Sequence, residues 1–380
     1  MNYLNRLIKE FCPHGVTYLK LENFLKIKNG GDYKHLGCGT YPVYGSGGIM
    51  TYVDSFVYDK PSVLIPRKGS IDKLYYVTEP FWNVDTVFYT DIDVTVAIPK
   101  YVYFCLQKSH LEQYNTAGGV PSLTQKVLNC IRIPLPPLAV QQEIVRILDS
   151  FTELTAELTA ELTARRKQYE CYKECIFEKF NSSSATFMPL NEVANVKDGT
   201  HDSPKPVVSG KYLITSKNVK SGKIILDGAY QISEEDFNAI NKRSKVDKWD
   251  ILFTMIGTVG EIGIATDIPD YAIKNVGLIK TGDEVLAKFL KYYLTSSKAK
   301  KYIKDNRSKG SQMFLGLEKL RVLPVPSISS PEMAEIVSIL DRFDTLCNSI
   351  TSGLPAEIVA RQKQYEYYRD KLLTFKELDA

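Results

Sequence analysis

Apolar residues recur at alternating steps of three and four along two stretches of the chain. They are Ile144, Ile147, Phe151, Leu154, Leu158, Leu162, Tyr169, Tyr172 and Ile176 in the first stretch, and Ile336, Ile339, Phe343, Leu346, Ile350, Leu354, Ile358, Tyr365, Tyr368, Leu372 and Phe375 in the second. This spacing predicts two long helices whose apolar stripes form a coiled-coil seam. The entrances are marked by Pro136, Pro137 and Pro326, while Gly353 and Pro355 predict a kink or short break within the second helix.

Both stretches belong to a longer internal repeat. The segment "IRIPLPPLAVQQEIVRILDSF" (131–151) is answered by "RVLPVPSISSPEMAEIVSILDRF" (321–343), and "RRKQYECY" (165–172) is answered by "RQKQYEYY" (361–368). Ahead of each helix, strand-like apolar runs are separated by Gly-rich turns. The chain is therefore predicted to be α/β (α+β), with two similar mixed domains separated by two long helices that pack as an antiparallel coiled coil, in a pseudo-twofold internal repeat.

The repeat and the composition divide the chain into five segments. They are a first domain at 1–136, a central helical region at 137–180, a linker at 181–187, a second domain at 188–326 and a C-terminal helical region at 327–380. Because the linker is short, the second helix can pack on the first only by running back toward the first domain.

Positive charge is concentrated in the two domains. Residues 1–134 carry 14 basic and 11 acidic side chains, residues 188–326 carry 22 and 16, and the two helical segments are net acidic. This alternation favours two domains that face nucleic acid. The chain has no apolar run of about 18 residues and no disulfide framework among its 7 cysteines, so we expect a cytoplasmic protein.

The first helix contains one tetrapeptide three times, "ELTAELTAELTA" (153–164). Since four residues are one helical turn, a tetrad can be gained or lost while the apolar face stays roughly in line. Each tetrad changes the helix length by about 6 Å, which is somewhat under two base pairs of DNA. If the two domains read two half-sites, the tetrads set the gap between them.

With its signature "IPLPPLAVQQEIVRILD", its helix ending "RRKQYECY" and the repetition of both, the chain resembles the specificity (S) subunit of type I restriction–modification systems. The resemblance covers essentially the whole chain, and the second copy, "PVPSISSPEMAEI", lacks the Gln-Gln pair. It implies a non-catalytic subunit with two target-recognition domains that bind an asymmetric, bipartite site in double-stranded DNA. It also implies two methyltransferase (M) subunits and further restriction (R) subunits as partners, with S-adenosylmethionine, ATP and Mg on those partners and no cofactor in this chain. In this family such tetrads are associated with spacer length.

Glycine-rich and basic loops are the candidates for DNA contact. Glycine lets the protein backbone approach a phosphate group, Lys and Arg neutralise the phosphate charge, and polar side chains reach base edges. The candidates are Lys28, Asn29, Lys34, Ser46, Arg67, Lys68 and Ser70 in the first domain, and Lys197, Thr200, His201, Lys205, Lys217, Asn218, Thr258, Arg307, Lys309 and Gln312 in the second. Any one of these loops could instead be an ordinary polar turn. The basic run at 296–310 is either a solvated helix face or a surface that tracks phosphates.

Charged residues beside the seam are candidates for contact with the M subunits, with a solvated helix face as the alternative: Arg165, Arg166, Lys167, Arg361 and Lys363. The neighbouring tyrosines are expected to pack in the seam. Cys171 and Cys175 have no histidine nearby, so no metal site is predicted.

Two other classes of protein compete with this interpretation. An autonomous methyltransferase or nuclease would need a cofactor loop and a catalytic motif, and "GTVGEIG" (257–263) is followed by no such motif. A coiled-coil adaptor that binds only protein is the alternative function. Salt dependence separates it from a DNA-binding protein, whose affinity falls steeply as ionic strength rises.

Overall fold

The computed structural model describes residues 2–115, 118–182, 186–310, 313–349 and 351–378. The chain forms two compact units. Unit 1 contains residues 1–159 and 357–380, and unit 2 contains residues 160–356. Unit 1 is thus made of two separate stretches of sequence, and unit 2 is inserted between them.

The first part of the chain forms a mixed domain followed by a 45-residue helix that crosses the boundary between the units. In chain order its elements are α1 (Asn2–Phe11), β1 (Tyr18–Lys20), β2 (Leu25–Asn29), β3 (Cys38–Gly45), β4 (Gly48–Val53), β5 (Ser62–Pro66), β6 (Tyr75–Val77), β7 (Trp82–Asn83), β8 (Val87–Ile92), α2 (Pro99–Lys108), α3 (Gln125–Asn129), β9 (Arg132–Pro134) and α4 (Leu138–Ser182).

The second part repeats this plan. Its elements are β10 (Phe187–Pro189), α5 (Leu190–Val193), β11 (Asn195–Asp198), β12 (Lys211–Ile214), β13 (Val219–Lys220), β14 (Lys223–Ile224), β15 (Tyr230–Ile232), α6 (Glu234–Ser244), β16 (Ile251–Thr254), β17 (Ile262–Ile264), β18 (Tyr271–Ile273), β19 (Val276–Lys280), α7 (Glu284–Leu294), α8 (Ser297–Asn306), α9 (Leu317–Arg321), β20 (Pro324–Pro326), α10 (Ser330–Asn348) and α11 (Leu354–Leu372).

The main sheets of the two units have the same topology. Unit 1 holds a four-stranded sheet in the order β2-β8-β5-β6 and a three-stranded sheet in the order β4-β3-β7. Unit 2 holds β11-β19-β16-β17 and β15-β12-β18. In both three-stranded sheets the central strand pairs in parallel with the later strand, β3 with β7 and β12 with β18. The predicted fold class and internal repeat are therefore confirmed.

The two helical regions pack along their apolar stripes in antiparallel fashion. In unit 1 the rings of Phe151 and Tyr368 stack with centroids 5.4 Å apart, so the early part of α4 meets the late part of α11. In unit 2 the ring of Tyr169 stacks on Phe343 at 6.1 Å, so the late part of α4 meets α10. Tyr172 also contacts Phe343 but remains 45% exposed, so it lies at the edge of the seam.

The predicted break in the second helical region is confirmed, because α10 ends at Asn348 and α11 begins at Leu354. Ile350, assigned to the seam from the sequence, lies outside the described residues. In the tetrads Leu162 is buried at 9% exposure, Leu154 and Leu158 are half-buried, and all three glutamates are exposed, in the order that the spacing predicts. Among the described residues, no helix is long and apolar enough to cross a membrane.

Gln141, the first glutamine of the Gln-Gln pair, fastens the start of α4 to the first domain. Its side chain is fully buried. The amide oxygen accepts from the Ile98 N–H (2.9 Å), and the amide nitrogen donates to the carbonyls of Val96 (3.0 Å) and Pro136 (2.8 Å). In the aligned repeat Met333 takes this place, so unit 2 lacks the clamp.

The C-terminal segment closes unit 1. The Val16 N–H donates to the Lys376 carbonyl (2.9 Å), and the Leu378 N–H donates to the Val16 carbonyl (3.0 Å). The hydroxyl of Tyr18 donates to the Phe375 carbonyl (3.1 Å). Leu372 and Leu373, together with Ile144 and Leu148 of α4, belong to the same apolar core as the first domain.

Candidate nucleic-acid interface

In unit 1 the candidate loops leave the sheet at one end. Strands β2 and β5 both run antiparallel to β8, and their last residues, Asn29 and Pro66, pair with its first two, Phe88 and Val87. The loops after β2 and β5 must therefore emerge side by side. The fold thus brings together candidate DNA-contact residues that are about 40 positions apart in the sequence.

The turn after β5 is held by a segment that the sequence did not single out. The Gly69 N–H donates to the Pro121 carbonyl (3.1 Å), and the Leu123 N–H donates to the Arg67 carbonyl (2.8 Å). Gly69 has a φ of +81°, which favours glycine over residues with a side chain. The turn at Ser46 is adjacent, because a Cβ on Gly69 would lie 3.6 Å from the Ser46 Oγ.

Unit 2 repeats this hydrogen-bonded frame atom for atom. The Gly257 N–H donates to the Met313 carbonyl (2.9 Å), the Leu315 N–H donates to the Met255 carbonyl (2.8 Å), and Gly257 has a φ of +78°. Strands β11 and β16 likewise end beside the start of β19. The loops at 199–205 and 255–260 therefore occupy the same end of their sheet as their counterparts in unit 1.

These repeated backbone hydrogen bonds identify a part of the candidate interface that the sequence analysis did not include. They show that 118–123, "GGVPSL", corresponds to 310–315, "GSQMFL", in unit 2. Gly118, Gly119 and Val120 are exposed, with Val120 at 69%. The sequence candidates included 307–312 but omitted the counterpart in the first domain, because the two loops share little beyond a glycine and a leucine.

Lys28 is engaged within unit 1. Its ammonium group lies 3.0 Å from the Asp91 carboxylate, which also accepts a hydrogen bond from the Tyr58 hydroxyl (2.8 Å). The pKa of Asp91 is lowered mainly by the hydrogen bond from Lys28 and, to a smaller extent, by the hydrogen bond from Tyr58. Lys28 therefore stabilises the β2–β8 pair, and 42% of its side chain remains exposed for a second contact.

Arg67 lies over an aromatic ring. Its guanidinium carbon is 5.1 Å from the centroid of the Phe88 ring, and its Nε is buried with no hydrogen-bond partner among the described residues. This stacking orders a side chain that is otherwise flexible. Of the other candidates in unit 1, Asn29, Lys34 and Lys68 are exposed, and Ser46 and Ser70 are half-buried.

His201 lies within a polar network that joins three strand ends. Its ring nitrogens lie 3.0 Å from the Asp198 Oδ2 and 2.8 Å from the Asn275 Oδ1. The other Asp198 oxygen accepts from the Arg243 guanidinium. Asn275 has a φ of +55°, an uncommon conformation for a residue with a side chain. The network holds an imidazole that is 67% exposed, and no sequence pattern pointed to its two partners, Asp198 and Asn275, or to Arg243 behind Asp198.

Asn218 is a candidate whose side chain is buried. It is 5% exposed, its amide oxygen accepts from both the N–H and the hydroxyl of Thr215, and its amide nitrogen donates to the Ile225 carbonyl (3.1 Å). This capping box engages both ends of the amide within the turn, so in this structure the side chain of Asn218 holds the turn, and its contact with DNA stays a prediction. Gln312 lies outside the described residues.

The remaining candidates of unit 2 differ in exposure. The exposed ones are Lys205, Lys217, Thr258 and Lys309, and the half-buried ones are Lys197, Thr200 and Arg307. The Lys197 ammonium donates to the Arg243 carbonyl (3.4 Å), which places it beside the histidine network. Within the described ranges, no group of three His, Cys, Asp or Glu side chains could hold a metal ion.

The candidate partner surface contains one repeated arrangement. Arg165 bonds the carboxylate of Glu161 and the amide oxygen of Gln168, and Arg361 bonds the corresponding groups of Glu357 and Gln364. The remaining candidates on this surface have different surroundings: the Arg166 guanidinium donates to the Cys347 carbonyl (3.3 Å), and Lys167 and Lys363 are exposed.

Comparison with known proteins gives one family over most of the chain. The family model for the type I restriction modification DNA specificity domain matches twice, over residues 7–165 and 183–360. A putative type I restriction enzyme specificity subunit of Haemophilus influenzae is 33% identical over 363 residues, covering 89% of each protein. The EcoR124I/EcoR124II specificity subunit of Escherichia coli is 32% identical over 302 residues, covering 75% of this chain and 73% of the relative.

Solved structures agree on the fold. The S subunit of a type I restriction–modification system from M. genitalium has a TM-score of 0.56 at 18% identity, and 94% of this chain and 96% of that chain are covered. A chain from a structural study of complex assembly and conformational transition in the type I R–M system has a TM-score of 0.64 at 13% identity, with 94% and 97% covered. The chain therefore belongs to the family of type I restriction–modification DNA specificity subunits.

Proposed function

We propose that the chain gives a type I restriction–modification enzyme its DNA sequence specificity, by binding an asymmetric bipartite site with a fixed gap. One observation carries the proposal: the same hydrogen-bonded frame presents different side chains in the two units. Arg67, Lys68 and Ser70 in unit 1 correspond to Met255, Ile256 and Thr258 in unit 2. Two similar readers with different polar surfaces select two different half-sites.

The chain acts here as a non-catalytic subunit within a cytoplasmic complex. Two methyltransferase subunits dock on the helical regions, where the repeated Arg165 and Arg361 arrangements offer two similar surfaces. Restriction subunits join the same complex. S-adenosylmethionine, ATP and Mg belong to those partner subunits, and this chain supplies the choice of DNA sequence.

The tetrads of α4 set the gap between the half-sites. Each tetrad contributes one buried or half-buried leucine and one exposed glutamate, so deleting a tetrad removes one helical turn without exposing a new apolar face. The deletion shortens the helix by about 6 Å, equivalent to somewhat under two base pairs.

The experiment is a map of modified bases in cells that co-express the chain with its methyltransferase subunit. Three forms are compared: the intact chain, a deletion of residues 157–160, and Glu157→Gln as a control that changes the tetrad but keeps its length. We expect the same two half-sites in all three. The gap should shorten by one or two base pairs in the deletion alone, about 6 Å divided by 3.4 Å per base pair.

Each alternative result has a distinct meaning. If the gap stays constant while methylation is retained, the tetrads do not set the gap. The proposal that each domain recognises one half-site would still stand. If the intact complex methylates a single uninterrupted site, the proposal that the two domains recognise two separate half-sites is refuted. Methylation unaffected by any change in this chain, together with salt-insensitive binding, would favour the adaptor.

A further inference from the structure

Unit 2 carries a basic helix that has no counterpart among the described residues of unit 1. In unit 2, α7 is followed by α8, whose sequence is SKAKKYIKDN. In unit 1 the corresponding α2 is followed by a short 3₁₀ turn at Leu111–Tyr114, and the described residues at 118–124 add no helix. The residues of that region, 109–115, contain Glu112 and no Lys or Arg. The two units therefore differ in charge at equivalent positions.

Helix α8 is firmly attached at its N-terminus. The buried Ser296 caps the helix by accepting from the Ala299 N–H. Both carboxylate oxygens of Glu174, from α4, accept from the Ser297 N–H at 3.0 Å. An acidic side chain thus already occupies the positive end of the helix dipole. Any phosphate bound by α8 must be held by its side chains.

The buried side of α8 contacts the candidate DNA interface. Ile303 is 5% exposed, and its methyl groups would lie 3.8 Å from a Cβ placed on Gly260, in the loop after β16. The Tyr302 hydroxyl donates to the Lys319 carbonyl (3.0 Å). Just after the helix, the Ser308 N–H donates to the Phe314 carbonyl (2.8 Å), within the segment that supports the Gly257 turn. The helix is therefore continuous with that surface.

The outer side of α8 presents three lysines without acidic partners. Lys300, Lys301 and Lys304 are exposed and fall within an arc of about 100° on the helix. Within the described part of the chain, none of their ammonium groups forms an ion pair, although Asp305 follows Lys301 by four residues. Like charges at positions 300 and 304 disfavour the helix slightly, so folding stability does not account for them.

We propose that α8 is a phosphate-binding helix that gives unit 2 the larger share of the sequence-independent affinity for DNA. This inference rests on the proposed function, since it assigns an electrostatic role within the same DNA-binding surface. The three lysines contact backbone phosphates, and the adjoining loops contact base edges. Binding through the unit 2 half-site is accordingly more salt-dependent than binding through unit 1, whose described residues form no such basic helix.

The test measures the affinity of the chain–methyltransferase complex for duplex DNA at several salt concentrations. One duplex carries the site found by the methylation map, and a second of equal length lacks it. The test variant is Lys300→Ala/Lys301→Ala/Lys304→Ala. A charge-matched control replaces three exposed lysines elsewhere: Lys9→Ala/Lys248→Ala/Lys371→Ala. A third variant with arginine at 300, 301 and 304 retains the charge.

We expect the slope of log affinity against log salt to flatten by about 2.7 in the alanine variant, at about 0.9 per lost phosphate contact. Near physiological salt the affinity should fall on the order of 100-fold, equally on both duplexes, because phosphates carry no sequence information. The arginine variant and the control should keep the wild-type slope. Thermal stability should not fall, since alanine favours an exposed helix.

Two results would overturn the inference. The first is an alanine variant whose slope equals that of the control, which would make α8 a solvated face. The second is a loss confined to the duplex with the site, which would make the lysines base readers. If instead the slope flattens as expected but the wild-type complex does not prefer its site, the phosphate-binding helix stands and the proposed sequence specificity fails.

Discussion

The clamp formed by Gln141 should contribute a measurable share of the stability of unit 1. Its amide makes three hydrogen bonds, to Ile98, Val96 and Pro136, at 2.8 to 3.0 Å. A net contribution of about 1 kcal/mol for each predicts that Gln141→Ala lowers the free energy of unfolding by about 3 kcal/mol. With a urea dependence of about 2 kcal/mol per molar, the unfolding midpoint should fall by about 1.5 M.

The chain offers a direct assay because it has 2 tryptophans, one in each unit. In a Trp249→Phe background, fluorescence reports unit 1 through Trp82, whose indole N–H donates to the Gly31 carbonyl (3.1 Å). In a Trp82→Phe background it reports unit 2. The transition of unit 1 should shift in Gln141→Ala, and that of unit 2 should not.

The neighbouring glutamine is the matched control. Gln142 has the same chemistry and sits on the same helical turn, but it is exposed. Gln142→Ala should change the stability by less than about 0.5 kcal/mol. Equal, small shifts in the two variants would refute the clamp. A shift of both tryptophan transitions in Gln141→Ala would show that the effect is not local to unit 1.

Two further changes test the packing of unit 1 by the same Trp82 transition. Gly30→Ala should destabilise the unit by about 3 kcal/mol, because the new Cβ would lie 2.1 Å from the Val84 carbonyl oxygen. The control Gly47→Ala should be neutral, since its Cβ would have no atom within 4 Å. Equal effects of the two substitutions would contradict this packing. Ending the chain after Leu373 removes both backbone hydrogen bonds to Val16 and the bond from Tyr18 to Phe375, and should cost about 3 kcal/mol. An unchanged unfolding midpoint would show that the tail does not stabilise the unit.

The large-scale organisation was predictable because it is written in regular patterns. Steps of three and four predicted the helices, and the repeated segments predicted that one topology occurs twice. Gly353 and Pro355 correctly located the break between α10 and α11. These features depend on local sequence and on self-similarity, both of which can be read from one chain.

The details of the interface were less accessible because they depend on contacts between distant positions. His201 receives its partners from Asp198, nearby in the chain, and from Asn275, 74 positions away. The structural role of Asn218 was missed because a polar turn residue can use its amide on the neighbouring backbone as readily as on a ligand. The loop at 118–123 was missed because it is equivalent to 310–315 in hydrogen bonding rather than in side chains.

The division of unit 1 between the two ends of the sequence has a consequence for its biosynthesis. The ribosome makes residues 1–159, then all of 160–356, and only afterwards the segment that closes unit 1. At about 5 to 20 residues per second, this interval lasts about 10 to 40 s. During it, Ile144 and Leu148 lack the cover of Leu372 and Leu373. The inserted unit 2 can therefore finish folding before unit 1, although its synthesis begins later.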